Sequence, residues 1–179
     1  VIWFSSGARG WATSSVFAGE PVPFLAEYFR SHPVDADFGK TWTKLLPESK
    51  YAFVDDGVGE SASAGGTRTF PHVLKGKGDK PDSTFYSAGR TSQFSDAYLG
   101  AIAEHAVDVL KLGQGHGTDY LAVSFSALDL VGHAFGPRSH EAQDTLARLD
   151  VTLGSLLAHL DKRVGRANYV LALTGDHGV

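Results

Sequence analysis

Two short constellations in the last third of the chain carry residue types that chemistry can use. One is Asp129 and His133, in Asp129-Leu130-Val131-Gly132-His133; the other is Asp176 and His177, in Gly175-Asp176-His177-Gly178. A carboxylate oxygen and a neutral imidazole nitrogen together suit a borderline divalent cation such as zinc, which binds both at about 2.0–2.2 Å. The two spacings demand different backbones. Residues four apart on a helical turn lie about 5–6 Å apart at Cβ, so Asp129 and His133 can face one ion from a helix. Adjacent Asp176 and His177 would point to opposite faces of a strand. The backbone must therefore turn there, which the flanking Gly175 and Gly178 permit. Taken singly, each pair has an ordinary structural explanation. Asp129 can cap the turn after a strand, His133 can be a satisfied core histidine, and Asp176-His177 can form an Asx-type turn.

The elements that must position these residues are legible around them. Tyr120 to Ser126 and Tyr169 to Thr174 are apolar runs rich in Val, Leu, Phe and Tyr, and each reads as a buried strand. Between them, Ser139 to Lys162 carries Leu146, Leu149, Leu153, Leu156, Leu157 and Leu160 at helical spacing, which predicts a helix with its leucines buried. The unit is strand, helix, strand, with an Asp and a His just past each strand. In open α/β sheets ligands bind at that carboxyl edge. If the strands are parallel neighbours, two carboxylates and two imidazoles converge.

Upstream, Ser92 to Gly113 predicts a second long helix, capped by Ser92 or Ser95, with Leu99, Ile102, Ala106, Val109 and Leu110 as its stripe. Glu20 to Arg30 predicts a helix with Pro21 in its first turn, burying Phe24, Leu25 and Phe29 before His32-Pro33 stops it. Val1 to Phe4 reads as a strand, and Trp42, Leu45 and Leu46 before Pro47 as a short helix. Residues 57–90 are a Gly/Ser/Lys-rich excursion with one β-like run, Thr67 to Leu74. His72 reads there as a surface or loop histidine; His105 and His116 need only helix-surface and loop positions. Helix and strand alternate, so the expected class is α/β: a mostly parallel sheet with helices on both faces, in one unit over residues 1–179 that is incomplete in this chain.

Composition bounds the rest. With 179 residues, 42% hydrophobic and 20% charged, the chain has an ordinary globular composition. No apolar run approaches the roughly 18 to 20 residues that span a bilayer. A net charge of −4 argues against a nucleic-acid surface, and the Lys75 to Lys80 cluster is short and interrupted by glycine. With no cysteine, disulfides and thiolate metal sites are excluded. The chain starts at Val1 without Met and stops two residues past a metal-type residue. The expectation is an internal piece of a longer enzyme.

The stretches LAVSFSALDLVGHAFGPRSHEAQDTLARLD and LLAHLDKRVGRANYVLALTGDHG resemble the alkaline phosphatase superfamily. They are most similar to the branch that holds phosphate-irrepressible alkaline phosphatases and type I phosphodiesterases/nucleotide pyrophosphatases. The resemblance is dense over about sixty residues and looser upstream, around WTKLLPESKYAFVDD and the helix after Arg90. It implies two zinc ions: Asp129 and His133 on one, with a further His from later in the chain; Asp176 and His177 on the other, with an Asp and a Thr or Ser nucleophile from earlier. The nucleophile is then expected upstream of Val1, since Thr13-Ser14-Ser15 lacks the family's surroundings. The implied activity is hydrolysis of phosphate monoesters on small substrates, in the periplasm or outside the cell. A phosphodiesterase of the same superfamily, a sulfatase or mutase on the same scaffold, and a non-catalytic piece with a half-built metal site are the alternatives.

Overall fold

The computed structural model describes residues 1–20, 22–57, 60–62 and 66–177. Its frame is a pair of long helices, α3 (Gln93–Leu110) and α5 (His140–Arg163). Each begins at a serine, as the sequence predicts: Ser92 Oγ accepts the Phe94 N–H at 3.4 Å, and Ser139 Oγ accepts the Ala142 N–H at 3.1 Å. The two helices pack closely at Gly100, where a Cβ would come 2.5 Å from Thr152 Cγ2. Polar pairs fasten the remaining length, Ser155 to Glu104 at 2.7 Å and His159 to Asp108 at 2.9 Å.

Around this pair pack α1 (Pro23–Ser31), α2 (Ser83–Arg90) and α4 (Ala127–Phe135). Leu25 and Tyr28 of α1 meet Ile102 of α3; Phe85 and Tyr86 of α2 meet Leu74; Val131 and Phe135 of α4 meet Trp42 and Ala142. Gly136 ends α4 at φ +101°, a conformation that favours glycine, and so lets the chain double back into α5. The helix predicted from Glu20 begins instead at Pro23, where Pro occupies the first turn; Pro21 lies outside the described residues. Phe24 and Phe29 are only partly buried, and Tyr28 takes their place in the core.

The sheet differs from expectation. Among the described residues the ladders are two short antiparallel ribbons: β1 (Trp3–Ser5) with β2 (Gly10–Ala12), and β3 (Thr41–Trp42) with β4 (His72–Val73). The predicted short helix at Trp42 is therefore a strand; a single 3-10 turn, Glu48–Lys50, follows Pro47. Tyr120 to Ser126 and Tyr169 to Thr174 join no sheet among the described residues. A strand needs a neighbour for its N–H and C=O groups. Among the described residues no strand pairs with these runs, and several of their apolar side chains stand open, Tyr120 90% and Val170 96% exposed. No parallel sheet is thus present among the described residues.

The burial of α5 also departs from expectation. Its first turns bury polar residues, His140, Glu141, Asp144 and Thr145, whereas of its leucines Leu156 alone is buried and Leu146 is 55% exposed. The reason is a carboxylate at the centre. Asp144 accepts from Trp42 Nε1, the Leu45 N–H, Tyr51 Oη and Arg148 Nε, each at 2.6 Å. Burial and this carboxylate push the Tyr51 hydroxyl up to about 12. His72 likewise is no surface histidine: it is buried, with Nε2 2.6 Å from Glu141 Oε1. On α3, Val109 and Leu110 are exposed, and Ala103 and Val107 are buried in the stripe instead.

Candidate functional site

Helix α4 puts Asp129 in its first turn and His133 in its last, on one face. Its apolar residues Val131 and Phe135 are fully buried against Trp42, so the opposite face, with Asp129 and His133, is exposed. Asp129 Oδ1 lies 3.3 Å from His133 Nε2 and 3.6 Å from His177 Nε2. His177 Nε2 lies 3.8 Å from Asp176 Oδ2, and the His177 N–H donates to Asp176 Oδ1 at 3.2 Å. The last of these is the local turn that adjacent Asp and His require; Gly178, the second flanking glycine, lies outside the described residues.

The structure thus brings together the four residues singled out by type and spacing, although they are 48 positions apart at the extremes (129 to 177). A shared Asp129 oxygen between two imidazoles is the geometric centre. In type, these carboxylate oxygens and imidazole nitrogens fit a zinc-like cation. In arrangement they meet in pairs: among the described residues no three His, Asp or Glu side chains surround one point as ligands of a single ion. All four are exposed.

The start of α4 is held from outside. The side chain of Ser126, at the capping position, accepts no N–H; instead the Ala127 N–H donates to Asp96 Oδ1 of α3 at 3.2 Å. Burial pushes the Asp96 carboxyl up to about 6, against the opposing pull of the Ala127 and Ser126 N–H groups. Asp96 and Asp129 both border an open groove of about 830 Å³, otherwise walled mainly by apolar residues such as Trp11, Leu99, Ile102 and Leu121.

Sequence patterning missed Asp96, Glu141 and Asp144. A signal was available for the first, since 96, 99, 103, 106 and 110 share heptad-like spacing and an acid among apolar positions is a departure. For Asp144 there was none, because the partners that bury it, Trp42, Leu45 and Tyr51, lie 93 to 102 residues away.

Comparison with known proteins decides what this arrangement belongs to. Residues 8–179 match the model of the type I phosphodiesterase / nucleotide pyrophosphatase family. The chain belongs to this family. Over 98% of its length it is 33% identical to alkaline phosphatase PhoV of Synechococcus elongatus and equally to alkaline phosphatase PafA of Elizabethkingia meningoseptica. It superposes on a crystal structure of wild-type alkaline phosphatase PafA with a TM-score of 0.79 at 30% identity, over 94% of this chain. The fold is accordingly alkaline-phosphatase-like. The chain spans 32% of the length of each of these proteins, about a third.

Proposed function

We propose that this type I phosphodiesterase-family chain is part of a metal-dependent hydrolase of phosphate monoesters. In the whole protein, hydrolysis passes through a phosphorylated Thr or Ser supplied by residues before Val1. The observation that carries this is the convergence of Asp129, His133 and His177 at one exposed corner, in a chain aligned along 98% of its length with two alkaline phosphatases. Asp129 and His133 would hold one zinc ion and Asp176 and His177 a second. Bound there, such ions activate a nucleophile, polarise a phosphoryl oxygen and stabilise a leaving oxygen. This chain's residues do the positioning. Helix α4 sets Asp129 and His133 at a fixed separation, and the turn at Gly175 sets Asp176 and His177 opposite them. Each pair supplies two donors, against the three or four zinc commonly takes, so further ligands come from other parts of the whole protein. There, Tyr120 to Ser126 and Tyr169 to Thr174 become neighbouring strands of a mostly parallel sheet. The substrate is a small phosphorylated molecule, and the setting periplasmic or extracellular; among the described residues no helix is long and apolar enough to cross a membrane.

The test compares phosphate release from an aryl phosphate and from a bis-aryl phosphate, with added zinc, by the whole protein and by these 179 residues alone. Faster monoester turnover by the whole protein, and next to none by the piece, is expected. Faster diester turnover would favour the phosphodiesterase alternative suggested by the family name. Robust turnover by the piece would show that the nucleophile lies within it.

A further inference from the structure

Asp96 is a carboxylate in the apolar stripe of α3, only 5% exposed, and its Oδ2 makes no hydrogen bond. Among the described residues no cation is paired with it. A buried carboxylate without a cation is a standing cost to the fold, so its retention needs a task that an apolar residue could not perform.

The task is visible at its other oxygen. Oδ1 accepts the Ala127 N–H at 3.2 Å, at the first turn of α4. Four N–H groups at a helix start lack intrahelical partners, and the usual remedy is a side chain from the capping residue itself. Ser126 does not provide it. A helix as short as α4, nine residues, is not self-sustaining in water, so its first turn depends on what receives those N–H groups. A negative group there also suits the helix dipole. Asp129 lies two residues beyond Ala127, in the same turn and bordering the same groove as Asp96.

We infer that Asp96 is a positioning residue for the metal-binding helix. By accepting the first N–H group of α4 from a neighbouring helix, it fixes where that helix begins and so where the Asp129 carboxylate stands relative to His177. The inference rests on the proposed metal role only in giving Asp129 a ligand to bind. The cap itself is independent of any metal.

The test uses the whole protein with four substitutions: Asp96→Ala, Asp96→Leu, Asp96→Asn and Asp129→Ala. Two quantities are read: amide hydrogen exchange in the first turn of α4 in metal-free protein, and zinc affinity by competition with a chromophoric chelator. D96A and D96L should speed exchange at Ala127 and Leu128 about 10-fold or more. They should also weaken zinc binding about 10-fold, the low end for loss of a supporting partner around a metal site. Asp96→Asn keeps an acceptor oxygen and should stay within about 3-fold of wild type in both. D96L fills the apolar stripe and should fold even where D96A does not. Unchanged exchange and zinc affinity in folded D96L overturn the proposal. So does a D96N as damaged as D96L, since the acceptor would then not be what matters. Asp129→Ala separates the two ideas. If it leaves zinc affinity untouched, the metal role of Asp129 falls, while the exchange data still decide the cap.

Discussion

Two regions of this molecule invert the usual relation between hydropathy and burial. Around the first turns of α5, Ser139, His140, Glu141, Asp144 and Thr145 are buried. In the two apolar runs, by contrast, Tyr120, Val170 and Leu173 are exposed at 74% or more. The first region is closed around one carboxylate, since Asp144 alone receives Trp42, Leu45, Tyr51 and Arg148, although Glu141 Oε2 and Thr145 Oγ1 have no hydrogen-bond partner there. The second is open because its runs have apolar side chains and backbone groups but no pairing strand among the described residues. Burial follows the availability of partners, and hydropathy predicts it only where partners are interchangeable.

Substitutions can break or sharpen this contrast. The largest effect should come from the open corner in the whole protein. Asp176→Ala or His177→Ala should reduce kcat about 10³-fold, several kcal/mol of lost stabilisation, at saturating zinc. Asp129→Ala should do less, and an aryl phosphate should partly rescue it relative to an alkyl phosphate. Equal rescue in both sets would mean that the ion roles are exchanged or inseparable. Next comes the closed region. Asp144→Ala leaves four buried or partly buried donors unmet and should cost about 3–5 kcal/mol in urea unfolding, with no recovery from added zinc.

Asp96, buried against the start of α4, predicts a pH effect. Its folded-state value of about 6 is above the ordinary 3.8, so the stability it contributes is fully present below pH 3.8 and is lost as pH rises through about 6. Comparing wild type with Asp96→Asn from pH 4 to 7 should reveal a difference that grows in favour of the amide, by about 2–3 kcal/mol. A flat difference would show that Asp96 is not buried as an ionisable group. Smaller still, Gly100→Ala should cost about 1–3 kcal/mol by driving a methyl into Thr152, and Thr152→Ser should restore most of it. Leu173→Ser, at the open edge of these 179 residues, should change their stability by no more than about 0.5 kcal/mol.

What could be foreseen from sequence divides along the same line. The long helices were legible at Ser92 and Ser139 because caps and periodicity are local. The closeness of Asp129, His133 and His177 was legible because Asp and His at those spacings are few and stand beside apolar runs. The identity of the buried face of α5 was not, because Trp42 and Tyr51, which make Asp144 a core residue, are 102 and 93 positions distant. The pairing of the short antiparallel ribbons was hidden for a similar reason, although Val1 to Phe4 and Thr67 to Leu74 read as strand-like. Thr41–Trp42 and His72–Val73 are too brief to show alternation and are defined only by each other.

The nine-residue length of α4 has a thermodynamic consequence. Asp129 and His133 bound the middle five of its nine residues, so the separation of their donor atoms exists only while the helix is intact from end to end. Since Val131 and Phe135 of that helix are core residues, intact ends mean an intact core. A cation held by this pair therefore binds the native chain and not the unfolded one. Each tenfold rise in its free concentration above Kd should add about 1.4 kcal/mol to the folding free energy. The ion would then be a thermostat of the fold as well as a reagent, and a chelator would lower the melting temperature before it touched any substrate.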